Sequence, residues 1–343
     1  MTIQVEQLLG LLERDTPSIE LLQRFEAVAY DKPLVACELA SAIARTPTER
    51  HQWMIAIMSV WSQADPEAAW GWVCASAVTR GVTGEKSLSA VIFDSVAGVD
   101  PQRVLDWVES ASSVQGKHPN LGIPMHLLKE EAVSALLLND RGYEAKAAVE
   151  KWARSGTGQA IDTGAITGVA KWLNALSPAT AATWLTGMPA SEATDHALLE
   201  VLSSWSAIDP STAMEWTKAT TEGLRRSDSM RLVMNQWAMS DSVGAAGWLA
   251  ADESDMNSDQ LVSSFSERLV AYGGTPEIAQ QWASLIVDNE KRSATLTEIV
   301  LNWGMLDPQS AALNVSDSAY YTVEQKNRLL RWLAANRNPN SSL

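Results

Sequence analysis

The stretch Trp205-SAI-Asp209-Pro210-STAME-Trp216 reads as a corner between two helices. Asp209 offers a side-chain oxygen that can accept a free backbone N–H at a helix start. Pro210 then takes the first helical position, where its missing N–H costs nothing. A residue that precedes proline disfavours the α conformation, so the helix before Asp209 has to end there. The same reading fits Trp61-SQA-Asp65-Pro66-EAAWG-Trp72, Trp237-AMS-Asp241-Ser242-VGAAG-Trp248 and Trp303-GML-Asp307-Pro308-QSAAL-Asn314. The shared pattern is W-x3-D-P-x2-A-x2-W.

Weaker copies stand at Asp100-Pro101…Trp107, Ser177-Pro178…Trp184 and Thr275-Pro276…Trp282; Pro33…Leu39 and Lys146…Trp152 fit by register. Anchored on the proline position, the units begin at 33, 66, 101, 146, 178, 210, 242, 276 and 308, and all spacings but one lie between 32 and 35 residues. A period of that length is one helix–turn–helix unit of a helical solenoid. The expected fold is all-α: an α-solenoid of about nine two-helix repeats, right-handed by analogy with known solenoids. Residues 1–32 are expected to form N-terminal capping helices, 33–321 the array, and 322–343 a C-terminal capping helix and tail. The exceptional spacing of 45 residues, from 101 to 146, marks an insertion loop at about 110–126. At 343 residues the chain is then one array rather than two domains.

Three residues after each proline position stand Ala69, Val104, Val149, Ala181, Ala213, Ala245, Ala279 and Ala311, small enough to predict a close helix–helix contact. Glu67, Asp106, Glu215 and Gln281 are polar and predicted to face solvent. Longer helices are predicted between the corners, over 47–63, 192–206, 228–239, 258–271 and 289–304. Val5, Leu8, Leu9 and Leu12 make a helical stripe at the start.

Tryptophan outnumbers phenylalanine 15 to 3, which in isolation would suggest a ligand-stacking surface. The repeat absorbs twelve of them at two positions, before the corner and in the short helix, so packing is the better reading. Trp53 falls in line with Ile57 and Trp61 and reads as core. Trp70 stands where other units carry Leu105, Glu150, Ala182, Met214, Ala246 and Gln280, and is therefore the candidate for an exposed contact residue.

The pattern resembles a group of uncharacterised bacterial proteins with tandem WA-x3-DP-x2-A-x2-W helical repeats, over residues 33–314. That resemblance implies an α-solenoid and no known activity. It is also similar in part to the tetratricopeptide repeat, in the Asp-Pro and the aromatic six residues after the proline. The Leu-Gly expected after that aromatic is replaced by Ala75-Ser76, Gly187-Met188 and Ala219-Thr220, so a peptide groove of that family does not carry over.

A net charge of −15 argues against phosphate neutralisation of nucleic acid and against a polybasic membrane binder. No apolar run approaches the roughly 20 residues that span a bilayer. Cys37 and Cys74 lie in apolar helical patterns and read as small buried residues, not as a disulfide scaffold. The opening MTIQVEQLLGLLERD lacks the basic start of a signal peptide, so the expected location is the cytoplasm, or the periplasm if a leader has been removed.

Catalytic motifs are sparse. His51, His118, His126 and His196 have no metal-ligand spacing, and the Gly-rich 155–164 has no phosphate-loop Lys-Ser/Thr. The acidic cluster Asp252, Glu253, Asp255 and Asp259 reads as a solvated loop. No catalytic residue, metal or cofactor is expected. The partner-binding candidates are Trp70, Lys117 and His118 in the insertion, and Arg225 and Arg226, which with Arg231 flank Ser227 at an expected helix start. The expected function is a non-catalytic protein-interaction scaffold, with a protein or a basic peptide favoured as partner on electrostatic grounds. The alternative is an enzyme on an (α/α) toroid acting on a carbohydrate-like substrate, which would need two carboxylates facing one pocket.

Overall fold

The computed structural model describes residues 18–76, 86–112, 123–155, 163–251, 258–271 and 275–336. Among these residues there are nineteen helices and no strand. Helices begin at Pro33, Pro66, Pro101, Pro178, Pro210, Ser242, Pro276 and Pro308, each an anchor of the sequence period. The unit anchored at Lys146 starts earlier, at Gly142, where the backbone runs against the Trp172 ring and leaves no room for a Cβ.

The corner is one structure built four times. Asp65, Asp209, Asp241 and Asp307 all hold φ between −141° and −149° and ψ between 80° and 87°, outside the helical region; a following proline favours this in three of them, and Asp241 adopts it before Ser242. Each is at once the C-cap of one helix and the N-cap of the next. Its N–H donates to the carbonyl of the tryptophan four residues back, at 2.7–2.9 Å. Its carboxylate accepts the N–H three residues on, at 2.9–3.1 Å. Ser177 makes the same cap on Thr180, and Thr322 with Gln325 forms a capping box. The corner also fixes the two tryptophans: Trp61–Trp72, Trp205–Trp216 and Trp237–Trp248 meet at 5.9–6.4 Å between centroids and 49–54° between planes.

The described helices group into two compact units, one running to Ala175 and taking in 188–194, the other made of 176–187 and the chain from Asp195 on. In the first unit, α1 (Ser18–Asp31), α3 (Pro47–Ala64), α5 (Leu88–Ala97) and α7 (Met125–Leu138) pack each on the next. The helices between them, α2 (Pro33–Ile43), α4 (Pro66–Ala75) and α6 (Pro101–Ser112), each pack on both flanking helices; α8 (Gly142–Arg154) packs on α6 and α7. α9 (Thr163–Leu176) follows.

The second unit repeats the scheme. Here α13 (Gly223–Ser240), α15 (Ser258–Ala271), α17 (Asn289–Leu306) and α19 (Val323–Ala335) form the row of neighbours. Between them run α14 (Ser242–Ala251), α16 (Pro276–Ala283) and α18 (Pro308–Asp317), each packed on both neighbours. α10 (Pro178–Thr186) packs on α12 (Pro210–Thr220), which packs on α13; α11 (Glu192–Ser206) precedes that corner. This packing is consistent with a helical repeat. The eight Ala or Val residues three after the proline position are all 0–1% exposed, the close contact their size predicts.

Predicted boundaries shift at the insertion, at the start of α13 and at the end of α17, which runs to Leu306 and not 304. The insertion is shorter at both ends than 110–126, because α6 runs on to Ser112 and α7 starts at Met125, directly after Pro124. Residues 113–122 of it, and Val5, Leu8, Leu9 and Leu12, lie outside the described residues. Helix α13 begins at Gly223, not 228; its N-cap Glu222 makes no side-chain cap, so nothing local in the sequence marks the start.

Candidate interaction face

The structure corrects the reading of Trp70, which is 3% exposed. Its ring stacks on Trp107 at 5.5 Å and meets Phe93 at 5.3 Å. The reason is helical geometry. Positions three, four and seven after the proline all face inward, as Ala69, Trp70 and Val73 do in α4. The same fourth position buries Leu105, Ala182, Met214 and Gln280. Glu150 and Ala246 at that position are partly exposed, so both size and exposure vary from unit to unit.

Arg225 is ion-paired to Asp195, and the Arg226 Nε donates to the Thr221 carbonyl, so both tie α13 to its surroundings in the second unit. Lys117 and His118 lie outside the described residues, as do Asp252, Glu253 and Asp255. Asp259 anchors a turn, its carboxylate accepting the N–H groups of Val287 and Asp288, each at 2.8 Å. His51 is buried with Nε2 against the Lys86 carbonyl at 2.8 Å. Cys37 and Cys74 are buried free thiols, each pushed up to about 12 by desolvation, and so hold no thiolate near neutrality. No group of three or more potential metal ligands occurs among the described residues. No described helix is long and apolar enough to cross a membrane.

A concave surface lies elsewhere in the second unit. The outward sides of α13, α15 and α17 enclose an open polar depression of about 440 Å³. Arg231 and Asn235 line it from α13, Glu267 and Arg268 from α15, and Glu298 and Asn302 from α17. These are residues one helical turn apart, or adjacent to one another, on the sides facing away from the core. A second depression of about 490 Å³ continues toward α11, where Leu199 and Ser203 line it, and shares Arg231, Asn235 and Arg268 with the first.

The polar groups here are only partly spoken for. Arg231 reaches Asp228 at 3.3 Å in an exposed pair. The Ser263 hydroxyl donates to Glu267 at 3.0 Å and also meets Thr295 Oγ1 at 2.8 Å. Burial pushes the Glu267 carboxyl above its usual range; Ser263 acts against that, Glu298 adds to it, and Arg268 and Arg231 pull it down. The Oδ1 of Asn235 is enclosed and has no hydrogen-bond partner in the protein. Such a surface can bind through paired hydrogen bonds and charges. Among its described lining there is no hydroxyl or thiol set beside a histidine base.

Sequence reasoning reaches only Arg231 of this face, as a neighbour of Ser227. The available signal is the polar pairs Arg231/Asn235 and Glu298/Asn302, four residues apart in their long helices. No family model matches the chain, and no curated protein or solved structure matches it.

Proposed function

We propose that the chain is a non-catalytic protein-interaction scaffold, an α-solenoid of about nine two-helix repeats with capping helices at the N-terminal end and a capping helix at the C-terminal end. A protein or basic peptide is its partner. Kinship with the tandem W-x3-D-P helical-repeat proteins of bacteria and a cytoplasmic location belong to the same proposal. The period supports the array, running at 32 residues from 146 through 178 and 210 to 242. Two free buried thiols accord with a reducing compartment.

The observation that carries the reading is the open polar face lined from α11, α13, α15 and α17. Small-molecule sites are usually deeper and lined by apolar and aromatic groups. The test is affinity capture with the full chain at low and high salt, followed by reciprocal capture of each candidate. A partner released by salt is expected, and failure to recover any protein at either salt overturns the reading.

One observation favours the carbohydrate-enzyme alternative: Glu267 and Glu298 line the same depression. Against it, no aromatic ring stands among the described lining to stack on a sugar. Hydrolysis of an oligosaccharide panel that E267Q or E298Q abolishes would establish that alternative.

A further inference from the structure

We infer that the long-helix face of the second unit seats an extended peptide segment carrying one basic side chain, the cation lying at Glu267 and Glu298 and the peptide backbone crossing Asn235. This deepens, and rests on, the scaffold reading.

Shape comes first. The two depressions share Arg231, Asn235 and Arg268, so they form one shallow channel across four helices rather than two holes. α13, α15 and α17 pack in a row, and packed helices lie roughly 9 Å apart, so α13 to α17 spans about 18 Å, with the α11 lining beyond it. An extended chain rises about 3.3 Å per residue, so about five to six residues cover α13 to α17 and an octapeptide also reaches the α11 end.

Hydrogen bonding comes second. The enclosed Asn235 Oδ1 is an acceptor for which the protein supplies no donor, and Asn235 lines both depressions. Enclosed as it stands, that oxygen meets a ligand only when the Asn235 side chain turns toward the channel, where a ligand donor satisfies it. A peptide N–H is such a donor, and an amide side chain can return a hydrogen bond to the next peptide carbonyl.

Charge comes third. The two linings hold three carboxylates, Asp228, Glu267 and Glu298, against two guanidiniums, Arg231 and Arg268. Arg231 already pairs with Asp228. The surplus is one negative charge on the α15–α17 side, beside Glu298, and the half-buried Glu267 is under-compensated despite both arginines. One guanidinium or ammonium restores the balance. A polyanion would add to the deficit, within a chain that already carries −15.

A displayed library of random octapeptides is selected on the immobilised full chain, and the enriched peptides are synthesised. We expect Lys or Arg at one fixed position, and a Gln analogue at that position to bind about tenfold more weakly. E298Q, an exposed change that leaves the core untouched, should weaken the basic peptide about tenfold and leave the Gln analogue unchanged. E267Q should do the same, and N235A should weaken both peptides alike. Thermal midpoints of the variants establish that each is folded. Enriched peptides without a basic position, or with affinity unmoved by E298Q and E267Q, overturn this inference and leave the scaffold reading standing. No enriched peptide overturns the inference, and the scaffold reading falls as well only if capture recovers no protein partner.

Discussion

Trp70 shows how a repeat register can be right while a side chain is misplaced. The fourth position after the proline holds residues as different as Trp70, Ala182 and Gln280, and such variety looks like a solvent position. In α4 it is a core position, with Phe93 and Trp107 packed around Trp70. Only the packed structure shows which neighbour makes up the volume. Trp70→Ala should therefore cost about 3–5 kcal/mol in denaturant unfolding. Trp70→Phe should cost far less, because the buried Trp70 Nε1 has no hydrogen-bond partner to lose. A stability unchanged in Trp70→Ala would restore the exposed reading. Glu131 makes a second residue-scale test. Burial raises its carboxyl above the usual 4.5; Ser87 and Ser89 hydrogen-bond to it and counteract this, while Glu130 and Asp94 reinforce it. A folded-state pKa above the unfolded one contributes stability below about 4.5, lost as pH rises through the folded value. The stability difference between wild type and E131Q should hence shrink or reverse from pH 4 to 8. A difference that does not change with pH would mean that burial does not control this group.

At the scale of the element, the fold is legible wherever the signal is local. A capping carboxylate, a proline and a tryptophan four residues upstream act on their own backbone, so the D-P corner can be read from a dozen residues. The exception follows from the same mechanism: α13 starts without a side-chain cap at Glu222, and its first five residues carry no local mark. The corners also differ in a way that tests the cap itself. The Asp209 carboxylate accepts from the Thr212 N–H at 3.1 Å and from its hydroxyl at 2.6 Å, whereas Thr275 makes no side-chain cap at the equivalent place. Asp209→Ala should destabilise by about 1 kcal/mol, and Thr275→Ala by less than about 0.5 kcal/mol. Those hydrogen bonds also hold the Asp209 carboxyl below its usual 3.8. A lowered pKa contributes stability above the unfolded value, lost as pH falls through the folded one, so the cost of Asp209→Ala should fade below about pH 4. Equal effects of the two substitutions would show that the proline and the backbone, not the side-chain cap, set the corner.

At the scale of the whole molecule, the period is legible and the face is not. The pairs Arg231/Asn235 and Glu298/Asn302 look, in sequence, like any solvated helix side. Stacking of α13, α15 and α17 is what brings them to one depression, and about thirty residues of chain separate the contributing side chains of one helix from those of the next. Net charge adds what no single element holds. A chain of −15 sets up an attractive field for a basic segment well before contact, and that field decays within about 8 Å at physiological salt. Steering acts on encounter, whereas the seat on Glu267 and Glu298 acts on residence. The association rate of a basic octapeptide, followed by stopped-flow fluorescence, should therefore fall about tenfold between about 0.05 and 0.5 M salt, with the dissociation rate changing by less than about threefold. E298Q should show the reverse division, raising dissociation while keeping most of the salt dependence of association. An association rate indifferent to salt would mean that the acidic surface plays no part in recruiting the partner.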